Sequence, residues 1–325
     1  MQFSIGTREP HWQPAGVKRA GFKPHLMKIF QVLASLSLLF VFATAARAGH
    51  PFLCTDSYAG TVSAVSTEGK VLWRHSCTHP QDCWALPNGD YLFCHSGGAL
   101  EMMPNGGVAW EYKASEAAEV HSCQPLADGR VLVVENGPCR ILEVDREGNI
   151  AKEIKVVRPP ASVSLHDQFR GTRKTRAGHY LLCRKGEHQI EELDGDGQSL
   201  RRIPVPGDVH MCVLLPDGHF LVACGEGHKV EELDASLKVV WELNEHDLPG
   251  NPLRLVSGIQ RMPNGDTICC NYLGHGHLGE QPDVFEVTPD KRIVWEYSDH
   301  EHFKVINQIQ LLDVAGDATR GEILR

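Results

Sequence analysis

The chain has 325 residues, 32 of them Lys or Arg against 41 Asp or Glu, for a net charge of −9, and 22% of it is charged with no low-complexity tract. That size and mixture fit one large folded domain, and an acidic surface repels phosphate backbones and anionic membranes, which excludes nucleic acid as a partner. Eleven cysteines, an odd number, exclude a fully paired disulfide framework, and no Cys-x-x-Cys-His run is present to attach haem.

Residues 1–26 are basic and lack apolar periodicity, and are read as a disordered upstream extension, with translation expected to start at Met27. Residues 27–48, "MKIFQVLASLSLLFVFATAARA", have the anatomy of a secretory signal peptide cut after Ala48. The protein is therefore expected to be exported, periplasmic or extracellular, with no stable membrane span after cleavage; an uncleaved signal anchor is the alternative. Removing residues 1–48 takes away six basic residues and one acidic one, leaving 26 against 40 and a net charge of −14 over 277 residues.

From residue 49 onward the chain repeats. One hairpin recurs as "CWALPNGDYLFC", "CQPLADGRVLVV", "CVLLPDGHFLVA" and "IQRMPNGDTICC", with a degenerate copy "TRKTRAGHYLLC". Each sets alternating apolar residues around a short turn in which Gly takes the left-handed position of a bulge. A second unit follows each hairpin: "STEGKVLWR", "MPNGGVAWE", "DREGNIAKE", "DGDGQSLRR", "DASLKVVWE" and "TPDKRIVWE". Four short strands per unit, repeated at fixed spacing, predict propeller blades. The first copy of the second unit has no innermost strand ahead of it, whereas "VINQIQLLD" near the end of the sequence is a strand without a blade. The expected fold is all-β: residues 49–325 as a six-bladed β-propeller, closed by a composite blade that joins the last strand to the first three.

In such a blade one face carries the turns within the hairpins, which here are short. The other carries long, varied loops such as "VRPPASVSLHDQF", "NYLGHGHLGEQP" and "SDHEHFK", and variable loops on a rigid scaffold carry function. Of the 16 His residues from position 50 onward, 13 fall on or near this long-loop face. Aligning on the hairpin turn puts Gln81, His121, Arg170, His210, Ser257 and Asn307 at equivalent places, one per blade, where innermost strands meet the channel. Asp82, His166 and Arg173 are expected close by. His and Arg gathered at one mouth suit an anionic group, since Arg offers a fork of donors and His can donate or transfer a proton. A catalytic version would use His121 or His210 as nucleophile or base and Arg170 or Arg173 to hold the anion; the plainer version is hydration of the channel and bonding of strand ends. His275 and His277 of "GHGHLGE", with Glu280, have the spacing for a divalent transition metal if His300 or His302 joins them. His188 and His228 recur at the same turn of two blades and are read as turn residues.

Registry places Cys83 opposite Phe93, Cys123 opposite Val133, Cys212 opposite Val222, Cys94 opposite Asp82 and Cys270 opposite Gly258. The thiols thus never face each other across a hairpin, and they read as small apolar fillers. Cys77 and Cys139 lie in loops, and their pairing is left open.

The run "STEGKVLW" resembles the tryptophan-docking motif of pyrroloquinoline-quinone-type propeller repeats, and "PNGGVAW", "DASLKVVW" and "TPDKRIVW" match it more loosely. The resemblance implies that Trp73, Trp110, Trp241 and Trp295 pack blade against blade. It does not extend to the cofactor: the quinone enzymes have eight blades, and the adjacent Cys269 and Cys270 lie within a strand, where neighbours point to opposite faces. Quinone is not expected. "LLPDGHFLVA" and "VFEVTPDKRIVWEY" also resemble blades of the exported, six-bladed bacterial arylsulfate sulfotransferases. That likeness implies that His121, His210, Arg170 and Asn307 could form a group-transfer set. The sequence thus leaves three functional classes: a binding protein with a small-molecule or anionic ligand at the mouth, a group-transfer or lyase enzyme, and a scaffold for a protein partner.

Overall fold

The computed structural model describes residues 49–325 and, upstream of them, Gly16 alone; the expected extension and signal peptide otherwise lie outside the described residues. Among the described residues no helix is long and apolar enough to cross a membrane. They form six four-stranded antiparallel sheets and three short 3-10 turns, arranged as a six-bladed propeller.

Blade 1 is composite. From the axis outward its strands are Gln308–Leu311, Phe52–Asp56, Thr61–Val65 and Val71–Ser76. Cys54 pairs with Ile309 and Leu53 with Gln310, so the late strand fills the place that the first segment lacks. Blades 2 to 6 are built in chain order. They run from Asp82–Ala85 to Val108–Lys113, from Glu119–Pro125 to Ile150–Lys155, from Arg173–Lys174 to Ser199–Pro204, from Met211–Leu214 to Val239–Asn244, and from Leu255–Arg261 to Ile293–Tyr297.

Burial explains the strand sequences. The second strand of blade 3, Val131–Asn136, is buried at every residue because neighbouring blades cover both faces of its sheet. Outermost strands alternate instead, and Val108–Lys113 buries only Trp110 and Tyr112. In all six blades the register slips by one residue at the outer hairpin, just after Ala64, Glu101, Glu143, Glu192, Glu232 and Glu286. Gly holds the left-handed position of that turn in four blades, but Leu237 (φ 67°) and Lys291 (φ 62°) hold it in blades 5 and 6. His188 and His228 are left-handed as well, at φ 53° and 51°, each closing a tight turn onto Lys185 O and Gly225 O.

The bulge marks a repeated electrostatic stitch that the hairpin alignment missed. The residue before it is a mostly buried Glu in five blades. Glu101 binds Arg146 of the next blade at 2.6 Å, Glu143 binds Lys174 at 2.5 Å, and Glu232 binds Arg261 at 2.6 Å. Glu192 holds Arg201 of its own blade at 2.6 Å, and that guanidinium lies over Phe220 of blade 5, 4.7 Å from the ring centre. Glu286 meets His50, just ahead of blade 1, at 3.2 Å. Blade 1 has Ala64 at this position and relies on Trp73 packed against Tyr91, with ring centres 4.7 Å apart. The tryptophans cross the same interfaces: Trp110 donates to Asp145 O at 2.8 Å, Trp241 to Pro289 O at 2.9 Å, and Trp295 packs edge-on to His50.

All eleven thiols are free, Cys77 and Cys139 included, and every one except Cys77 is buried. The five expected cross-strand partners are the observed ones. Cys269 and Cys270 enter different apolar clusters on the two faces of their sheet.

Candidate functional site

The propeller brings all six equivalent positions to one cavity of about 310 Å³ at the long-loop face: Gln81, His121, Arg170, His210, Ser257 and Asn307. His166 joins them from a short 3-10 turn, and His275 from the blade 6 loop. The six do different work. Ser257 Oγ donates to Asn307 O at 2.7 Å, and Asn307 Oδ1 accepts from Ser57 N at 2.8 Å, so this pair ties backbone together.

Arg170 is the centre of the remainder. It is only 6% exposed. One guanidinium N–H donates to His121 Nδ1 at 2.6 Å, another to His166 Nε2 at 2.6 Å, and a longer bond reaches Gln81 Oε1 at 3.4 Å. Arg has only donors, so both imidazole nitrogens must be acceptors. The imidazole protons then sit on His121 Nε2 and His166 Nδ1, which both meet Glu119 Oε2, at 3.1 and 3.3 Å. The ring is closed: Arg170 to two imidazoles, and both imidazoles to one carboxylate. Burial, and then the charge of Arg170, push His121 down to about 3 and lower His166 too. Hydrogen bonding from His121 holds the Glu119 carboxyl down at about 2. Burial also lowers Arg170, to about 10. Its direct partners are neutral, and its Nε is buried without a hydrogen bond.

A second arrangement faces it from blade 5. His210 Nε2 meets Asp208 Oδ2 at 3.2 Å. Asp208 also lies 3.3 Å from Lys185 Nζ, which in turn binds Asp167 at 2.5 Å. Burial opposes ionisation of Asp208, yet hydrogen bonding from His210 holds its carboxyl well below the usual range. Burial pushes His210 down to about 4, so it is neutral near pH 7. With the Nε2 proton directed at Asp208, the lone pair is on Nδ1.

Glu119, Asp208, Lys185 and Asp167 were not among the expected site residues. Two of them carried a signal: "EVH" at 119–121 and "DVH" at 208–210 put a carboxylate two residues before the mouth His in two blades. Same-side neighbours in a strand are two apart, and in both blades that acid binds that His.

Asp82 and Arg173, expected beside the mouth, are instead buried deeper along the channel. Arg173 grips Asp82 with two N–H groups at 2.8 and 3.2 Å, and Arg325 reaches the same carboxylate at 3.1 Å from the turn face. His275 bonds to Glu226, while His277 bonds to Glu280 at 2.9 Å, so the two imidazoles serve different carboxylates. Among the described residues, the groups whose ligand atoms converge as a metal would need are Glu119–His121–His166 and Asp217–His219–Glu232. In the first of these, the hydrogen bonds from Arg170 and to Glu119 already engage both nitrogens of each imidazole, so a cation would have to displace Arg170.

Fold and mouth together define a six-bladed propeller whose channel opens at one end on a polar cavity with a buried arginine. Solved structures resemble the chain in fold. A protein of unknown function from Bacteroides caccae matches 80% of this chain and 98% of its own, at 26% identity and a TM-score of 0.72. A catalytically inactive His-to-Ala virginiamycin B lyase from Staphylococcus aureus, solved with quinupristin, matches 78% of this chain and 85% of its own, at 13% identity and a TM-score of 0.55. The WD40 propeller domain of Doa1 matches 82% and 80%, at 14% identity and a TM-score of 0.52. No protein-family model and no curated protein matches the chain.

Proposed function

We propose that this chain is an exported binding protein that takes up a small anionic molecule at the long-loop mouth of its channel. The observation that supports the reading is Arg170: a buried cation whose direct partners are neutral imidazoles and an amide, with its Nε–H unused. An isolated buried charge is costly, and an anion seated beside it offsets that cost. Glu119 serves to hold the two imidazoles that present the guanidinium. The test is a thermal-shift and calorimetric titration of residues 49–325 with short carboxylates, sulfate esters and phosphate esters, each beside a neutral isostere. At least one anion should bind with one-to-one stoichiometry and weaken with salt, while its isostere does not bind. A panel without a single binder sinks the reading.

The His210–Asp208 pair favours a second reading, a lyase. With the anion held at Arg170, His210 Nδ1 takes a proton from the carbon next to the anionic group. The released electron pair forms a double bond and expels a leaving group from the neighbouring carbon, and Asp208 steadies the resulting imidazolium. The likeness to virginiamycin B lyase carries the fold and no residue role. Replacing His210 with Ala separates the readings, because a lyase keeps ligand binding and loses turnover, whereas a binding protein shows no turnover to lose.

A further inference from the structure

The opposite end of the channel holds a second built site. Arg325 lies inside it with its side chain fully buried. Its Nε donates to Ile309 O at 2.8 Å, one terminal N–H donates to Cys83 O, and another reaches Asp82 Oδ1 at 3.1 Å. The guanidinium lies over Trp84, 4.4 Å from the ring centre, and Arg173 lies over the same indole at 4.8 Å. Trp84 is itself fixed by donating to Cys123 O at 2.7 Å. This is complete recognition of a planar cation: a carboxylate, two carbonyls in its plane and an aromatic face.

The main chain of the segment that delivers Arg325 is held by few hydrogen bonds, while Ile323 and Leu324 pack against apolar clusters of the blades. Among the described residues, the blades hold the main chain of 321–325 by three hydrogen bonds: Arg261 N to Leu324 O at 2.9 Å, the Arg176 side chain to Gly321 O at 3.1 Å, and Arg173 Nε to Arg325 O at 2.9 Å. A cavity of about 320 Å³, lined by Trp84, Arg173, Leu214, Ile323 and Arg325, opens beside it on the turn face. The binding groups belong to blades 1 and 2, and so they persist when the segment is absent.

We propose that the turn-face end of the channel is a guanidinium-binding socket, with Arg325 as its resident occupant and guanidinium compounds as the ligands able to replace it. The site is independent of the anion reading of the mouth.

The experiment uses the Arg325→Ala variant of residues 49–325. The variant is titrated with agmatine, with the peptide Gly-Glu-Ile-Leu-Arg, and with 1,4-diaminobutane, which has the second charge of agmatine but no guanidinium. R325A should melt below wild type. Agmatine and the peptide should recover most of the loss, rising with the logarithm of concentration as a ligand specific to the folded state does. Diaminobutane should not, and wild type should not respond because its socket is filled. Recovery by agmatine without the peptide limits the socket to small molecules, and recovery by the peptide without agmatine attributes binding to the segment rather than the guanidinium and overturns the proposal. No recovery by either, or an equal rise in wild type, overturns it too. If R325A does not fold unaided, its refolding yield in agmatine against diaminobutane is the measurement, and equal yields refute the socket.

Discussion

Replacing Arg170 with Gln should weaken ligand binding while lowering stability by no more than about 3 kcal/mol. Burial takes the guanidinium from its ordinary 12.5 to about 10, which at ~1.36 kcal/mol per pH unit puts the cost of this charge at about 3 kcal/mol. The substitution removes that cost. It also removes the charged donor to His121 and His166, hydrogen bonds worth roughly 1.5–3 kcal/mol each. The two roughly offset, so the net loss of stability should stay within about 3 kcal/mol. Binding moves the other way. A charge-assisted hydrogen bond contributes about 1.5–3 kcal/mol, so affinity for an anionic ligand should fall on the order of ten- to a hundredfold. Differential scanning fluorimetry and isothermal titration on the same two proteins measure both quantities. A variant that melts well below wild type and binds as tightly would show that Arg170 holds the channel together and has no part in recognition.

Three further outcomes follow from the blades. His50 is raised above its ordinary value, chiefly by hydrogen bonding to Glu286; its contribution is complete below about pH 6.5 and is lost as pH rises through the raised value. Melting temperatures at about pH 6 and about pH 8.5 should therefore differ by less in His50→Ala than in wild type, and an unchanged difference refutes a stabilising role for the His50–Glu286 contact. Trp110→Ala should lose about 4 kcal/mol, since it removes a buried indole that bonds to the next blade; urea melts that move by under ~1 kcal/mol contradict that packing. A thiol reagent should label Cys77 alone in the native state and all eleven cysteines after denaturation; native labelling of several would mean that the apolar layers are open.

The fold was legible because its units are local. Alternating apolar residues around Pro-Asn-Gly turns specify a hairpin wherever they occur, and counting hairpins against Trp-bearing strands exposed the strand displaced to the far end. The mouth was legible only in outline. Alignment on the turn located the six ring positions, because backbone register fixes where an innermost strand meets the channel. It could not say that Ser257 and Asn307 would bond to backbone, nor that Asp82 and Arg173, within three residues of mouth positions, would face Arg325. Those outcomes depend on which blade presents a carbonyl or a charge across the axis. Glu119 and Asp208 were readable as acid-Val-His runs and were passed over, because the alignment weighed positions across blades rather than pairs within a strand. The glutamates at the bulges were passed over for a related reason: their cations come from the next blade, more than 25 residues on, in three interfaces, or from the other end of the chain for His50.

The composite first blade also sets the timetable of assembly. A ribosome finishes blades 2 to 6 as whole sheets, yet blade 1 waits as three strands with a bare inner edge until Gln308–Leu311 emerges. Until that strand emerges the nascent chain is an arc rather than a circle, and the exposed edge at its hub can pair with any passing strand. Chaperones that meet the chain at that stage meet the arc.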